Sequence, residues 1–304
     1  MHFNQIEYFL EVAKCKSITK ASETLYISKT ALSESISRME KELGFKVFER
    51  SNHGVELTEA GEKFFADAWQ ISKMVKSWNN LRTSNSEIAK EQINMLISNT
   101  LINSIFKKIF LNLTRLYPDL VILANGGSGS NFIAEYQTNT TSINVIIVPE
   151  PSQRDFRDFC AKNSLQIYVL KKDQFLAVMN KENALSGKTT LKITDLQNYP
   201  LVVQSKRSNK SPLIKYLQET LKEISFATPN QSIILEMLEN NQAVSVFPSL
   251  IAKSFSENRK LSCIPIEDFK LTVEHWLVCP IESYLTPGEK KIVNYIQNYY
   301  LNLI

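Results

Sequence analysis

Between Ile18 and Gly61 a dense set of short polar and basic side chains recurs at helical spacing: Lys20, Ser28, Lys29, Thr30, Ser33, Glu34, Ser37 and Arg38. Hydroxyl, ammonium, guanidinium and carboxylate groups of this kind meet phosphates and base edges, so the chemistry on offer is hydrogen bonding to nucleic acid. A helix must carry those groups, and Leu32, Ile36, Met39 and Leu43, at steps of four, three and four, form the buried stripe along it. Lys29, Thr30, Ser33, Glu34 and Ser37 share its opposite face, and Ser28 is placed to cap it. Two helices, a sharp turn and a β-hairpin over residues 18–61 make a winged helix-turn-helix, with double-stranded DNA as the first partner to expect.

This segment resembles the DNA-binding domain of the LysR-type transcriptional regulators, without a gap from Met1 to about Asp67. The resemblance is carried by Phe9 and Ala13, by Ser17 to Ala21, by Ser28, Ala31, Leu32 and Ser33, and by Glu40, Leu43, Gly44, Phe48, Glu49, Arg50 and Leu57 to Gly61. Lys29 and Thr30 stand where the family usually has Gln and Pro or Ser, and Lys29 suits guanine O6 and N7 or a phosphate. Glu34 stands where a basic residue is common; it either accepts from cytosine N4 or is a solvated helix residue. His53 occupies the wing position from which the family often inserts an arginine into the minor groove, and it binds there more tightly once protonated.

Charge alone does not locate this face. The chain has 35 Lys and Arg against 31 Asp and Glu, a formal net charge of +4. Residues 1–60 hold eight Lys and Arg against nine Glu, a net of −1. The cations must therefore be sorted to one side, with Lys20, Lys29, Arg38 and Arg50 on phosphates.

From Thr58 to about Asn85, Phe64, Ala68, Ile71, Val75 and Trp78 step by four, three, four and three, the spacing of a coiled-coil seam. Thr58 caps this stretch, Glu59 and Glu62 suit its positive end, and neither proline nor glycine interrupts it after Gly61. The resemblance makes it a dimerising linker helix, the alternative being a helix packed on its own domain. A dimer presents two recognition helices to a two-fold DNA site.

The 304 residues and 43% hydrophobic content suit two or three domains with real cores. With no apolar run of membrane-spanning length and no signal peptide, a cytoplasmic protein without membrane contact is expected. Cys15, Cys160, Cys263 and Cys279 lack metal-ligand spacing and suit reduced thiols. After Glu91, strands alternate with helices. Strands are expected at 93–98, 120–124, 143–148, 166–170, 175–179, 201–203, 226, 243–247, 261–266 and 271–278, with helices at 101–116, 132–137, 213–223, 233–238 and 287–303. The fold class is α/β behind an N-terminal winged helix-turn-helix.

This second part is similar to the two-lobed, periplasmic-binding-protein-like effector domain of the same family, through Tyr117-Pro118-Asp119, Ile143 to Ile147 and Ala243 to Pro248. Asn144 replaces the family's acidic residue, and Asn241-Gln242-Ala243 its Gly-x-Gly. The domains expected are 1–58 for DNA, 59–88 for the linker, 89–164 with 268–304 for lobe one, and 165–267 for lobe two. Ligands of open α/β lobes sit beyond the carboxyl ends of strands. That rule selects Ser98, Asn99 and Thr100, then Ser128 and Ser130, then Pro149, with Gln204, Ser205 and Phe247 from lobe two. These suit a small polar or anionic metabolite as effector, and each serine or threonine equally suits simple helix capping.

No cofactor and no metal is expected. A nucleotide-binding enzyme is disfavoured because Phe132 stands where a third glycine would complete Gly127-Ser128-Gly129, and a Ser-His-Asp arrangement because only His2, His53 and His275 exist. A thiol-based redox regulator remains the alternative. The resemblance implies a regulator that binds an interrupted palindrome as a dimer or dimer of dimers, responds to an effector and contacts RNA polymerase.

Overall fold

The computed structural model describes residues 1–51, 54–82, 90–127, 132–133, 136, 141–205, 211–221, 224–256 and 260–303. The chain divides into two compact units, 1–90 with 159–165, and 91–158 with 166–304. The first begins with three helices, α1 (Phe3–Cys15), α2 (Ile18–Thr24) and α3 (Lys29–Leu43). Ser17 Oγ accepts from the Lys20 N–H at 3.3 Å and Ser28 Oγ from the Ala31 N–H at 3.1 Å, so each later helix begins at a serine cap. Gly44 closes α3 in the left-handed conformation, φ 78°. Phe9, Val12, Ala21, Leu32, Ile36 and Met39 bury the facing stripes in one core. Each large apolar side chain there contributes about 1.5–3 kcal/mol.

A hairpin follows, β1 (Phe48–Ser51) antiparallel to β2 (Gly54–Leu57), with Arg50 opposite Val55. Its root is tied to α3 by buried Glu40, whose carboxylate accepts from the N–H groups of Val47 and Phe48 at 3.0 and 3.3 Å and from Lys46 Nζ at 2.8 Å. The long helix α4 (Glu59–Arg82) starts against the same root. Thr58 Oγ1 donates to Lys46 O at 2.7 Å and accepts from the Gly61 N–H at 2.9 Å. A Cβ on Gly61 would stand 2.0 Å from Val47 O, so glycine is required where helix and wing root meet.

The seam expected on α4 is divided. Ala68 is fully buried in the core of this unit, and Phe64 packs on Phe9 with ring centroids 4.9 Å apart. These two stabilise their own domain because the first turns of the helix lie across α1. Ile71, 39% exposed, and half-buried Val75 remain on the surface. The Trp78 side chain and residues 83–89 lie outside the described residues.

The second unit is built on one sheet. Parallel strands β3 (Glu91–Ser98), β4 (Leu120–Gly127) and β5 (Ile143–Pro149) are joined by β6 (Leu165–Asn180), and then by β9 (Ser245–Pro248), β10 (Leu261–Pro265) and β11 (Thr272–Pro280). The order is β10-β6-β11-β5-β3-β4, with β9 also on β6. A separate parallel pair comprises β7 (Val202–Gln204) and β8 (Phe226–Thr228). Along β6 alternate residues serve different cores: Phe175, Ala177 and Met179 join Leu196, Leu217 and Val244, whereas Leu176 and Val178 join Ile97, Val145, Phe247 and Ile292.

Several expected elements change. The two strands at 166–170 and 175–179 are one, because the polar stretch Lys171 to Gln174 stays extended and buries Asp173. The helix expected at 101–116 is broken into Asn99–Ile102 and Ile105–Leu116, with Ser104 at φ −123°, ψ −99° and its hydroxyl donating to Thr100 O at 2.6 Å. Helices Gln153–Lys162 and Ser249–Ser256 are additions to the sequence reading. The first carries only a short stripe, Phe156, Phe159 and Cys160, among polar residues, and the second follows directly on a strand. Residues 134, 135 and 137 of the helix expected at 132–137 lie outside the described residues, while 132, 133 and 136 are helical. Asn144 is fully buried, accepting from Thr141 Oγ1 at 2.8 Å and donating to Val278 O at 3.1 Å. An amide there makes both bonds without a buried charge.

Candidate nucleic-acid interface and ligand site

With its apolar stripe buried, α3 turns Lys29, Thr30, Glu34, Ser37 and Arg38 to solvent, while Ser33 is half-buried. Lys20 is exposed on α2, and Ser28 stands exposed at the N-terminus of α3. The structure thus brings eight of the residues expected to face DNA onto neighbouring turns of two helices. The Arg50 side chain and all of His53 lie outside the described residues.

Sequence reasoning missed Tyr26. It sits in the turn between α2 and α3, 95% exposed, with φ 55°. Leu25 and Ile27 on either side pack against the core, so the turn drives the phenol outward. The backbone is held there by Tyr26 N–H to Glu23 O and Ile27 N–H to Ser22 O, 3.3 and 3.1 Å. A left-handed conformation costs an L-residue roughly 1–2 kcal/mol. The only signal in sequence is an aromatic residue between two apolar anchors just ahead of a serine cap.

The residues expected at a ligand site meet different fates. Ser98 is buried, its Oγ accepting from the Ile147 N–H at 3.0 Å and so bridging two strands. The Asn99 carboxamide lies over Gly126, its Oδ1 2.1 Å from where a Cβ would stand. Thr100 and Pro149 are half-buried at the ends of β3 and β5. Phe247 is in the core, edge-on to Phe255 at 5.2 Å. Half-buried Gln204 ends β7, donating from Nε2 to Pro229 O at 3.2 Å, and Ser205 follows with its N–H on Thr228 O at 3.0 Å. Ser128 and Ser130 lie outside the described residues. Gln231, which the sequence did not single out, is buried with neither carboxamide atom hydrogen-bonded.

A second polar cluster unites distant segments. Asp173 on β6 accepts from the Ser249 hydroxyl and from the Leu250 N–H at 3.0 Å, and its Oδ2 lies 3.3 Å from Nε2 of fully buried His275 on β11. His275 Nδ1 lies 3.3 Å from the hydroxyl of buried Tyr300. Burial pushes the Asp173 carboxyl up, but the hydrogen bonds from His275, Ser249 and Leu250 outweigh it and hold the group below the usual carboxylate range. Burial raises the Tyr300 phenol far above its ordinary value, with the Asp173 charge acting in the same direction. This is not a nucleophilic triad. The serine donates to the aspartate rather than to the histidine, and imidazole and carboxylate are both sealed from solvent.

None of the four cysteines is in a disulfide. Burial, and then the hydrogen bond to Glu11, push the Cys15 thiol up and away from the reactive thiolate. Among the described residues no group of three His, Cys, Asp or Glu side chains converges to hold a metal ion, and no helix is long and apolar enough to cross a membrane.

Comparison with known proteins accounts for both units. Residues 3–62 match the model of the bacterial regulatory helix-turn-helix protein of the lysR family, and residues 89–300 that of the LysR substrate binding domain. The chain is 23% identical over 305 residues to the uncharacterized HTH-type transcriptional regulator YwbI of Bacillus subtilis, covering 98% of this chain and 97% of that one. It is 24% identical over 203 residues to the HTH-type transcriptional regulator BudR of Raoultella terrigena, covering 65% and 66%. In fold it is similar to a full-length OxyR variant of Pseudomonas aeruginosa, with a TM-score of 0.63 and 16% identity over 99% of this chain and 94% of that one. Full-length CbnR complexed with its target DNA is a further match, with a TM-score of 0.51 and 17% identity over 98% and 99%. With a serine-capped helix exposing a polar side in one unit and a substrate-binding fold in the other, this chain belongs to the LysR family and is a DNA-binding transcriptional regulator, not an enzyme.

Proposed function

We propose that the exposed side of α3 reads the major groove of an interrupted palindrome, and that a small polar effector bound by the second unit changes how the DNA is held. The observation that carries the DNA reading is the sorting of α3. Leu32, Ile36 and Met39 are buried while Lys29, Thr30, Glu34, Ser37 and Arg38 are all exposed behind the Ser28 cap. Lys29 and Thr30, on the first turn, meet base edges. Lys20, Arg38 and Arg50 supply phosphate contacts, as does the phenol of Tyr26, which the turn holds outward beside them. His53 completes the contact from the wing. The DNA complex of CbnR, a protein of similar fold, supports this mode of binding.

Two copies joined through Ile71, Val75 and Trp78 of α4 bring two such helices to a two-fold site, and pairs of dimers extend it. The effector site draws on Thr100, Pro149, Gln204 and Ser205, together with Ser128 and Ser130. RNA polymerase is the partner through which the altered complex acts. The protein works in the cytoplasm and needs no cofactor.

Selection of bound sequences from random duplexes tests this reading. A two-fold site whose preferred bases change in Lys29→Ala is expected. Selected sites without symmetry, or unchanged by Lys29→Ala, sink it. The effector part is tested by footprinting that site with and without metabolites. A pattern that no effector alters removes that part alone.

A further inference from the structure

The two carboxamides at the end of the small parallel sheet are the strongest unassigned chemistry among the described residues. β7 and β8 run side by side with Gln204 opposite Thr228. Beyond them the chain turns tightly: Thr228 Oγ1 accepts from the Asn230 N–H at 3.1 Å, and Asn230 Oδ1 caps the next helix, Gln231–Glu239, by accepting from the Ser232 N–H at 3.0 Å. Gln204 reaches into this turn, donating to Pro229 O, which fixes its carboxamide and leaves a buried Oε1 without a donor. Two residues past Pro229, Gln231 is only 2% exposed, and both its Oε1 and its Nε2 lack a partner. A buried polar atom without a hydrogen bond costs roughly 1–3 kcal/mol, and folded proteins rarely gather several in one place without a use for them.

We infer that Gln204 and Gln231 form a recognition element for a small neutral ligand carrying a carboxamide, within the effector-binding reading on which this inference rests. The unmet groups are two acceptor oxygens and one NH2 donor. A primary amide complements all three, giving N–H to the oxygens and C=O to the NH2. A carboxylate has no N–H for the two acceptors and brings a charge that neither glutamine neutralises. The first-turn N–H of Ser232 is already taken by Asn230, so the helix end offers less to an anion than an uncapped one.

Thermal unfolding of the full chain tests this with L-asparagine, L-glutamine and acetamide against L-aspartate, L-glutamate and acetate. An amide at about one hundred times its Kd is expected to raise Tm by ~5 to 10 °C. Its acid counterpart is expected to leave Tm unchanged. Gln231→Met, which keeps the shape and removes the amide, should abolish the rise. Gln204→Met, at a half-buried position, is the second test should the first variant fail to fold. An acid that shifts Tm as much as its amide overturns the inference, as does an amide shift that survives both substitutions, or no shift from any of the six. A shift by acids that both variants retain leaves the effector reading standing and removes only the glutamine site.

Discussion

The helix-turn-helix unit and the sheet unit satisfy their polar groups over different distances along the chain. In the first, caps close over three residues, Ser17 to Lys20 and Ser28 to Ala31, and the buried Glu40, held by Lys46, Val47 and Phe48, reaches no farther than Phe48. In the second, Asn144 bonds a carbonyl 134 residues away, Glu91 the N–H of Gly288 at a separation of 197, and Asp173 gathers Ser249, Leu250 and His275 from two further segments. Local closure leaves Lys29, Thr30, Glu34, Ser37 and Arg38 exposed on the outer face of α3. Long-range closure makes the second unit depend on a few buried polar ties, whose rearrangement would move whole segments against one another.

The largest effect expected is from Asp173→Asn. The substitution weakens the hydrogen bonds from Ser249, Leu250 and His275 at once, and a hydrogen bond to a charged group is worth about 1.5–3 kcal/mol, so chemical denaturation should show a weakened sheet unit. The pH dependence has a definite sign. A carboxylate held below its unfolded pKa stabilises at neutral pH, and the gain is lost as pH falls through the lowered folded value. The gap between wild type and variant should therefore close in acid; a gap constant with pH would show that Asp173 is not ionised there. Next is Glu40→Ala, which strands the N–H groups of Val47 and Phe48 at a cost of about 1–3 kcal/mol. Melting of the first unit should fall while the second is unchanged, and parallel losses in both would break the contrast between them.

On DNA, Lys29→Ala should weaken binding by about 1–3 kcal/mol, roughly 5- to 150-fold, if it meets a base, and instead flatten the salt dependence by about one unit if it meets a phosphate. Fluorescence anisotropy at several salt concentrations separates the two. Ser28→Ala should cost about 1 kcal/mol of stability through the lost cap, read by thermal melting. The smallest effect is from Tyr26→Asn, where asparagine tolerates the left-handed turn. Affinity for DNA should fall by about 0.5–1.5 kcal/mol with stability equal or higher, and an unchanged affinity would leave the exposed phenol without a role.

These differences also set what can be read in advance. The winged unit is legible down to its caps because the stripe Leu32-Ile36-Met39 and the serines before α2 and α3 act within one helix. The fate of α4 is not, since Phe64 and Ala68 have the same spacing whether their neighbour is a partner chain or α1 of the same domain. In the sheet unit most strands show themselves, but β6 reads as two because Lys171, Lys172, Asp173 and Gln174 look like a break. Ser98 and Phe247, selected for standing at strand ends, prove to be a strand bridge and a core ring. Gln231 gives no signal at all. By itself the sequence determined the family, the capped amphipathic helix α3 and the alternation of strands and helices, because periodicity, capping and turn chemistry are local properties of the chain. Only the tertiary structure decided which polar side chains are consumed by the fold and which are left over for a ligand, because that depends on partners brought close from far along the chain.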